Sequence, residues 1–282
     1  MTRRLITLPS FSPVAAGSTA TLDLPTIGVY DQLRLHYVTG AIPADATKAL
    51  IEAELTEIRV KVNGKVQRRL SAAHINALLG FRGVGFNDGY LPIMFSEPWR
   101  RSVQGEDSLS WGMSDVDTFQ LEVDIGAGAV NPSLDATAVK TPANRPMGPI
   151  VKYRQFTVNV SAVGIVNVTT LPKSDAYYGL HAVSPDIDDV EIKIDQEEVF
   201  DLVLADANDY YKQQGLTPQT GYFHVVFDAT NRVSDALAMR RGEGQGARQG
   251  QGVRLIKDFR IDFNMAAANS FTLITETIGL RD

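Results

Sequence analysis

The chain has 282 residues, of which 44% are hydrophobic and 21% charged, enough for one large domain or two modest ones. Its formal net charge of −6 argues against direct binding of nucleic acid, because the molecule as a whole repels phosphate. The absence of cysteine excludes disulfides, thiolate nucleophiles and cysteine-ligated zinc.

Alternation of apolar and polar residues is the main pattern along the chain. A period of two is typical of antiparallel strands that place one face in a core and the other in solvent. The alternating segments are residues 21–24, 32–37, 58–62, 119–125, 155–160, 190–194 and 259–263. The dipeptide Asn63-Gly64 predicts a type I′ hairpin directly after the third of them.

Two segments have helical signals. Ser71 to Leu79 opens with a serine cap and closes at Gly80, and Leu204 to Gln214 closes at Gly215. Each segment follows a predicted hairpin, one in each half of the chain. We therefore expect one short helix per half.

The second half repeats the first. Six residues of the first half recur at one constant offset, together with a strand and a helix: Gly83, Gly89, Tyr90, Phe95, Arg100 and Ser102 match Gly215, Gly221, Tyr222, Phe227, Arg232 and Ser234. Upstream, Leu24-Pro25 and Tyr30 match Leu171-Pro172 and Tyr177. The first half also has an insertion at residues 41–54, which we expect to be a loop or a short helix.

The domain boundary is expected in the small-residue and proline segment from Gly126 to Pro149, near residue 145. The prediction is an all-β protein with two tandem eight-stranded antiparallel jelly-roll sandwiches, over residues 1–145 and 146–282. Viral coats, lectins and cupins all use this sandwich, so the fold alone does not select a function.

The segments Leu8 to Gly17, Leu22 to Pro25 and Ile58 to Lys65, together with Tyr30, resemble the N-terminal region of corticovirus-type major capsid proteins. The resemblance implies a double jelly-roll coat protein of a membrane-containing bacterial virus, with no enzymatic activity and no required cofactor. Three copies would form a pseudo-hexagonal capsomer, and capsomers would tile an icosahedral shell over an internal membrane.

The same resemblance implies a location in the virion after assembly in the cytoplasm of a bacterial host. The implied partners are further copies of the chain, neighbouring capsomers, and the vertex and membrane proteins of the virion. The acidic charge agrees with an intervening membrane and with no direct contact between coat and nucleic acid.

Two groups of residues are candidates for sites. The acidic cluster Asp186, Asp188 and Asp189 could hold a structural calcium ion, which prefers several oxygen ligands. The basic residues of a Gly-rich segment are interface candidates, predicted to dock on an acidic neighbouring subunit or on lipid: Arg240, Arg241, Arg248 and Arg254. Trp99 and Arg100 are interface candidates as well, because aromatic and arginine residues often anchor association.

Other functions are less well supported by the sequence. The four histidines, His36, His74, His181 and His224, are isolated along the chain, and the common hydrolase and nucleotide-binding motifs are absent. A tandem carbohydrate-binding β-sandwich is the main alternative, with exposed tyrosines such as Tyr177 and Tyr178 binding glycan. A β-sandwich hydrolase that uses two carboxylates ranks below it.

Overall fold

The computed structural model describes residues 2–100, 102–241 and 254–282. The chain divides into two compact units, one formed by Met1–Arg154 with Leu280–Asp282 and the other by Gln155–Gly279. Segment 280–282 therefore belongs to the first unit, although it follows the second unit in sequence.

In the described part of the first unit, the strands form two antiparallel sheets, and three helices accompany them. Its strands are β1 (Arg4–Thr7), β2 (Thr19–Leu24), β3 (Val29–Thr39), β4 (Ala44–Asp45), β5 (Leu55–Val62), β6 (Lys65–Leu70), β7 (Tyr90–Met94), β8 (Trp111–Gly112), β9 (Phe119–Ile125) and β10 (Ser133–Thr141). One sheet has the order β1-β10-β3, with β4, β7 and β8 also paired to β3, and the other has the order β6-β5-β9-β2. The helices are α1 (Lys48–Glu54), α2 (Ala72–Phe81) and α3 (Val103–Asp107).

The second unit repeats this plan. After β11 (Ile150–Val158), its elements are β12 (Gly164–Val168), β13 (Ala176–Val183), β14 (Ile187–Ile194), β15 (Glu197–Val203), α4 (Leu204–Gln213), β16 (Tyr222–Val226), a 3-10 helix (Val233–Asp235), β17 (Arg240–Arg241), β18 (Arg254–Leu255), β19 (Phe259–Met265) and β20 (Phe271–Gly279). One sheet orders β16-β13-β20-β11, the other β12-β19-β14-β15, and β17 pairs with β18.

Eight strands of each unit correspond in order and pairing: β1, β2, β3, β5, β6, β7, β9 and β10 match β11, β12, β13, β14, β15, β16, β19 and β20. The side chains between the sheets correspond too. Tyr30 packs on Phe119 with ring centroids 5.0 Å apart, and Tyr177 packs on Phe259 at 5.1 Å. Each tyrosine hydroxyl donates to a proline carbonyl five residues earlier, at 2.8 Å and 2.7 Å. The predicted internal repeat is therefore confirmed in the structure.

The hairpins that precede α2 and α4 share a local device. Asn63 and Asp195 both have a φ of 49°, the left-handed conformation that a type I′ turn requires. Oδ1 of Asn63 accepts hydrogen bonds from the backbone N–H of Asp117 and Thr118, at 2.9 Å and 3.0 Å. Oδ1 of Asp195 accepts the equivalent pair from residues 257 and 258. One side chain thus fixes both a turn and the start of a distant strand, β9 or β19, which pairs with the first strand of the same hairpin.

Replacing Asn63 with alanine should therefore lower the free energy of unfolding by about 1–3 kcal/mol, since two backbone donors lose their acceptor and alanine tolerates the left-handed conformation poorly. Urea unfolding followed by circular dichroism measures this loss. Asn63→Gly is the matched control, because it removes the same acceptor but accepts the conformation, so its loss should be smaller. Equal stability of both variants and the parent chain would contradict this account.

The helices differ from the prediction in number. The structure has the two expected helices, although α2 ends at Phe81 rather than before Gly80, and the turn after it uses Gly83 with a φ of 80°. The prediction of one helix per half is wrong for the first unit, which also has α3 after Ser102 and α1, the latter in the insertion expected to be a loop or a short helix. Both are too short to produce a helical period. No helix within the described ranges has the length and apolar content needed to cross a membrane.

The segment from Gly126 to Pro149, predicted as a linker, is largely structured. β10 lies within it, and its core-facing residues include Ala136 and Ala138, which give a weak apolar signal. Beyond β10, the guanidinium of Arg145 donates to the carbonyl oxygens of Asp107 and Ser110. The backbone N–H of Met147 donates to Asp115 at 2.7 Å. This segment is therefore held against the first unit.

Candidate interface and metal-binding residues

The three aspartates of the predicted calcium site lie at the start of β14. An irregularity in the pairing of β14 with β19, between Ile187 and Asp189, interrupts the alternation of this strand, so that Asp188 is exposed and Asp189 is half-buried. Asp186 accepts a hydrogen bond from the side chain of Asn269 at 2.8 Å, and Asp189 accepts one from Asn264 at 2.7 Å. Two of the three carboxylates, those of Asp186 and Asp189, are therefore already engaged with side-chain amides.

Within the described residues, no group of three or more histidine or acidic side chains is arranged to hold a metal ion. The geometry of Asp186, Asp188 and Asp189 thus lends no support to a calcium ion bound by this chain alone. Calcium binding stays a prediction.

The basic segment is only partly described. Arg240 and Arg241 form β17, which pairs in antiparallel fashion with β18, where Arg254 is located. Arg248 lies outside the described residues. Docking of these four arginines on a neighbour or on lipid stays a prediction.

Arg100 is inside the first unit rather than on its surface. It is 5% exposed, and its guanidinium donates two hydrogen bonds to the carboxylate of Glu97, at 2.7 Å and 3.2 Å. A buried ion pair of this kind is a packing feature, so the predicted interface role of Arg100 conflicts with its burial. Trp99 is half-buried, with the guanidinium of Arg82 5.6 Å from its ring centroid, and its interface role stays a prediction.

Two of the four histidines are not isolated in the fold. His181 and His224 face each other on β13 and β16, with their Nδ1 atoms 2.9 Å apart and each side chain almost fully buried. Nε2 of His181 is also 3.3 Å from the carboxylate of Glu276 on β20. Sequence reasoning missed this pair because the histidines are 43 residues apart, and only the pairing register of the two strands brings them together.

The solvent face of the sheet β6-β5-β9-β2 has a network of paired charges. Arg59 on β5 contacts Glu57, Glu122 and Asp124, and Lys61 also contacts Glu122. The Arg59 guanidinium lowers the pKa of the Asp124 carboxyl, because hydrogen bonds favour its charged form. The pKa of Glu122 is lowered as well, so these carboxyls are held in their charged form, whereas the general acid of a hydrolytic site needs a raised pKa.

A cleft in the first unit, with a volume of about 600 Å³, is also unsuited to catalysis. Its lining contains no titratable side chain: it consists of Thr26, Ile27, Gly28, Met113, Ser114, Val116, Pro142, Ala143 and Asn144. General acid and base catalysis requires a positioned proton donor or acceptor, and this cleft has none.

Comparisons with known proteins agree with the two-unit architecture. A family profile described as the viral coat protein P2 N-terminal domain matches residues 5–141, and one described as the P2 C-terminal domain matches residues 150–280. The major capsid protein P2 of Pseudoalteromonas phage PM2 is 23% identical over 286 aligned positions, which cover 99% of this chain and 97% of that protein.

Solved structures show the same fold. The crystal structure of the major capsid protein P2 from bacteriophage PM2 aligns with a TM-score of 0.84 and 21% identity, over 100% of this chain and 98% of that chain. The STIV major capsid protein aligns with a TM-score of 0.67 and 11% identity, over 99% and 97% of the two chains. The fold is therefore a double jelly roll, as predicted, and the protein family is structural rather than enzymatic. Because the two profiles together span nearly the whole sequence, the chain belongs to the viral coat protein P2 family.

Proposed function

We propose that this chain is a major capsid protein that assembles with itself into the shell of a bacterial virus. One observation carries the proposal: each half of the chain forms the same eight-strand sandwich and matches its own domain of the P2 coat protein family. The carbohydrate-binding alternative is not favoured, and the expectation that Tyr177 and Tyr178 are exposed is wrong, because they are 1% and 0% exposed.

We further propose that three copies form the capsomer. A cyclic trimer of a duplicated subunit presents six similar sandwiches, so neighbouring capsomers meet through repeated and nearly equivalent contacts. The net charge of −6 favours an arrangement in which an internal membrane separates the coat from the genome. Vertex and membrane proteins, lipid contact through the basic segment, and assembly in the host cytoplasm belong to the same proposal.

The mass of the purified chain in solution tests this proposal. Light scattering should give about three times the chain mass of 30.8 kDa, and negatively stained particles should show six lobes. The same measurement in the presence of a chelator tests the predicted calcium ion, because loss of the trimer on chelation would support a metal-stabilised interface. A monomer that persists at high concentration, with and without calcium, would contradict the proposed capsomer.

A further inference from the structure

One edge of the second unit is open where the equivalent edge of the first is covered. β15 ends the sheet β12-β19-β14-β15, and among the described residues only β14 pairs with it. Each residue of β15 is at least partly exposed, including the apolar residues Val199, Phe200, Leu202 and Val203. An unpaired strand edge with apolar side chains is a template for a further strand.

The first unit shows what occupies such an edge. β6 corresponds to β15. In the hairpin β5-β6, Arg68 pairs with Val60, and in the hairpin β14-β15, Phe200 pairs with Ile192. Both hairpins have a register shift directly after this pair. The outer edge of β6 is covered by β11, which runs parallel to it, with Tyr153 opposite Arg68. Nε of Arg68 donates to the carbonyl of Val151 on the same strand at 2.8 Å.

The covering strand has its own counterpart in the repeat. β11 lies beside β20 in the second unit, as β1 lies beside β10 in the first, so β11 and β1 hold equivalent places. β11, the equivalent of β1, covers the outer edge of β6. By the same repeat, β1 is expected to cover the outer edge of β15, the equivalent of β6. β1 is also at the end of its sheet, and Leu5 within it is 62% exposed.

Charge and direction agree with this match. β1 begins with the exposed Arg4, and β15 begins with the exposed Glu197 and Glu198. A parallel arrangement, as between β11 and β6, places these opposite charges near each other, whereas an antiparallel one places Arg4 beside the apolar end at Val203. Neither strand contains proline, so neither lacks a backbone donor.

We propose that β15 of one copy pairs in parallel with β1 of a second copy, extending the sheet β12-β19-β14-β15 across the contact between subunits. The inference rests on the proposed self-assembly and specifies the strands that make it. A contact between two different surfaces of the chain is head-to-tail, so it generates a closed ring when the rotation between copies permits.

Cysteine cross-linking tests the pairing directly, because the natural chain contains no cysteine. Each of the four β1 positions is replaced by cysteine in combination with Val199→Cys or Asp201→Cys, at β15 positions that are half-buried and exposed, respectively. Adjacent strands lie about 4.8 Å apart, within disulfide range, so pairs in register should link under mild oxidation. We expect covalent dimers and trimers on non-reducing gels that return to monomer with reductant.

The control combines Asp201→Cys with Ile42→Cys, at a loop position that is 86% exposed, and should not cross-link. Light scattering of the reduced variants separates the two proposals. If the protein is oligomeric but no β1 and β15 pair links between copies, or if pairs link only within one chain, the strand pairing is wrong and self-assembly stands. If the protein is monomeric throughout, both proposals fail.

Discussion

Replacing Trp111 with alanine is expected to lower the free energy of unfolding by about 3–5 kcal/mol, the range for loss of a large buried aromatic side chain. Trp111 is fully buried between the sheets of the first unit, with its ring 4.4 Å from that of Phe95 and 5.8 Å from that of Phe119. The guanidinium of Arg68 lies over the same ring at 5.1 Å. Alanine would leave a cavity that two sheets and a buried cation cannot easily fill.

Urea unfolding followed by far-ultraviolet circular dichroism measures this effect. Trp111→Phe is the informative comparison, because it retains an aromatic ring in the cluster. It also removes the indole N–H, a buried donor with no hydrogen-bond acceptor in the described part of the chain, which offsets some of the lost volume. Trp111→Phe should therefore lower the free energy of unfolding much less than Trp111→Ala does. If both variants matched Ile27→Ala, at a position that is 77% exposed, the aromatic cluster would not stabilise the unit as described.

The second large effect is expected at Gly112. A Cβ atom there would lie 2.5 Å from the carbonyl oxygen of Pro146 and closer still to that of Arg145. These are backbone atoms, and the Arg145 carbonyl accepts a hydrogen bond from Ser114, so they cannot rotate aside. Gly112→Ala should therefore lower the free energy of unfolding by at least about 1–3 kcal/mol, the usual cost of overpacking, by displacing the segment from β8.

Gly148→Ala is a matched control for this substitution, because a Cβ at Gly148 meets no atom within 4 Å and the residue lacks a positive φ. That variant should be as stable as the parent chain, or slightly more stable. Thermal unfolding and limited proteolysis of the pair measure the difference, with new cleavage expected near residue 145 in Gly112→Ala alone. Similar melting and cleavage of the two variants would show that the contact with β8 is dispensable.

The sequence predicts the fold well where the chemistry is local. A period of two places most of the long strands, and Asn63-Gly64 predicts a hairpin that the structure confirms. The repeat is visible in paired glycines such as Gly89 and Gly221, whose φ values of 77° and 79° strongly favour glycine over other residues. Constraints of this kind appear in the sequence because one residue type satisfies them.

Other features depend on contacts that sequence patterns do not show. β10 resembles a linker because alanines occupy two of its buried positions and give only a weak apolar signal. Arg100 was predicted at an interface by residue type, but a carboxylate three residues earlier allows its burial. His181 and His224 meet only through strand register. Ion pairs and histidine pairs of this kind follow from the fold and are not visible before it.

The place of residues 280–282 in the first unit has a consequence for biosynthesis. Nζ of Lys152, which is 2% exposed, donates to the carbonyl of Leu280 at 2.8 Å and to the carboxylate of Asp282 at 2.9 Å. During translation these acceptors emerge only after the whole second unit, several seconds later at roughly 5–20 residues per second. A nascent first unit therefore lacks the acceptors of a buried lysine until residues 280–282 have emerged, so its packing is completed only after the second unit has been synthesised.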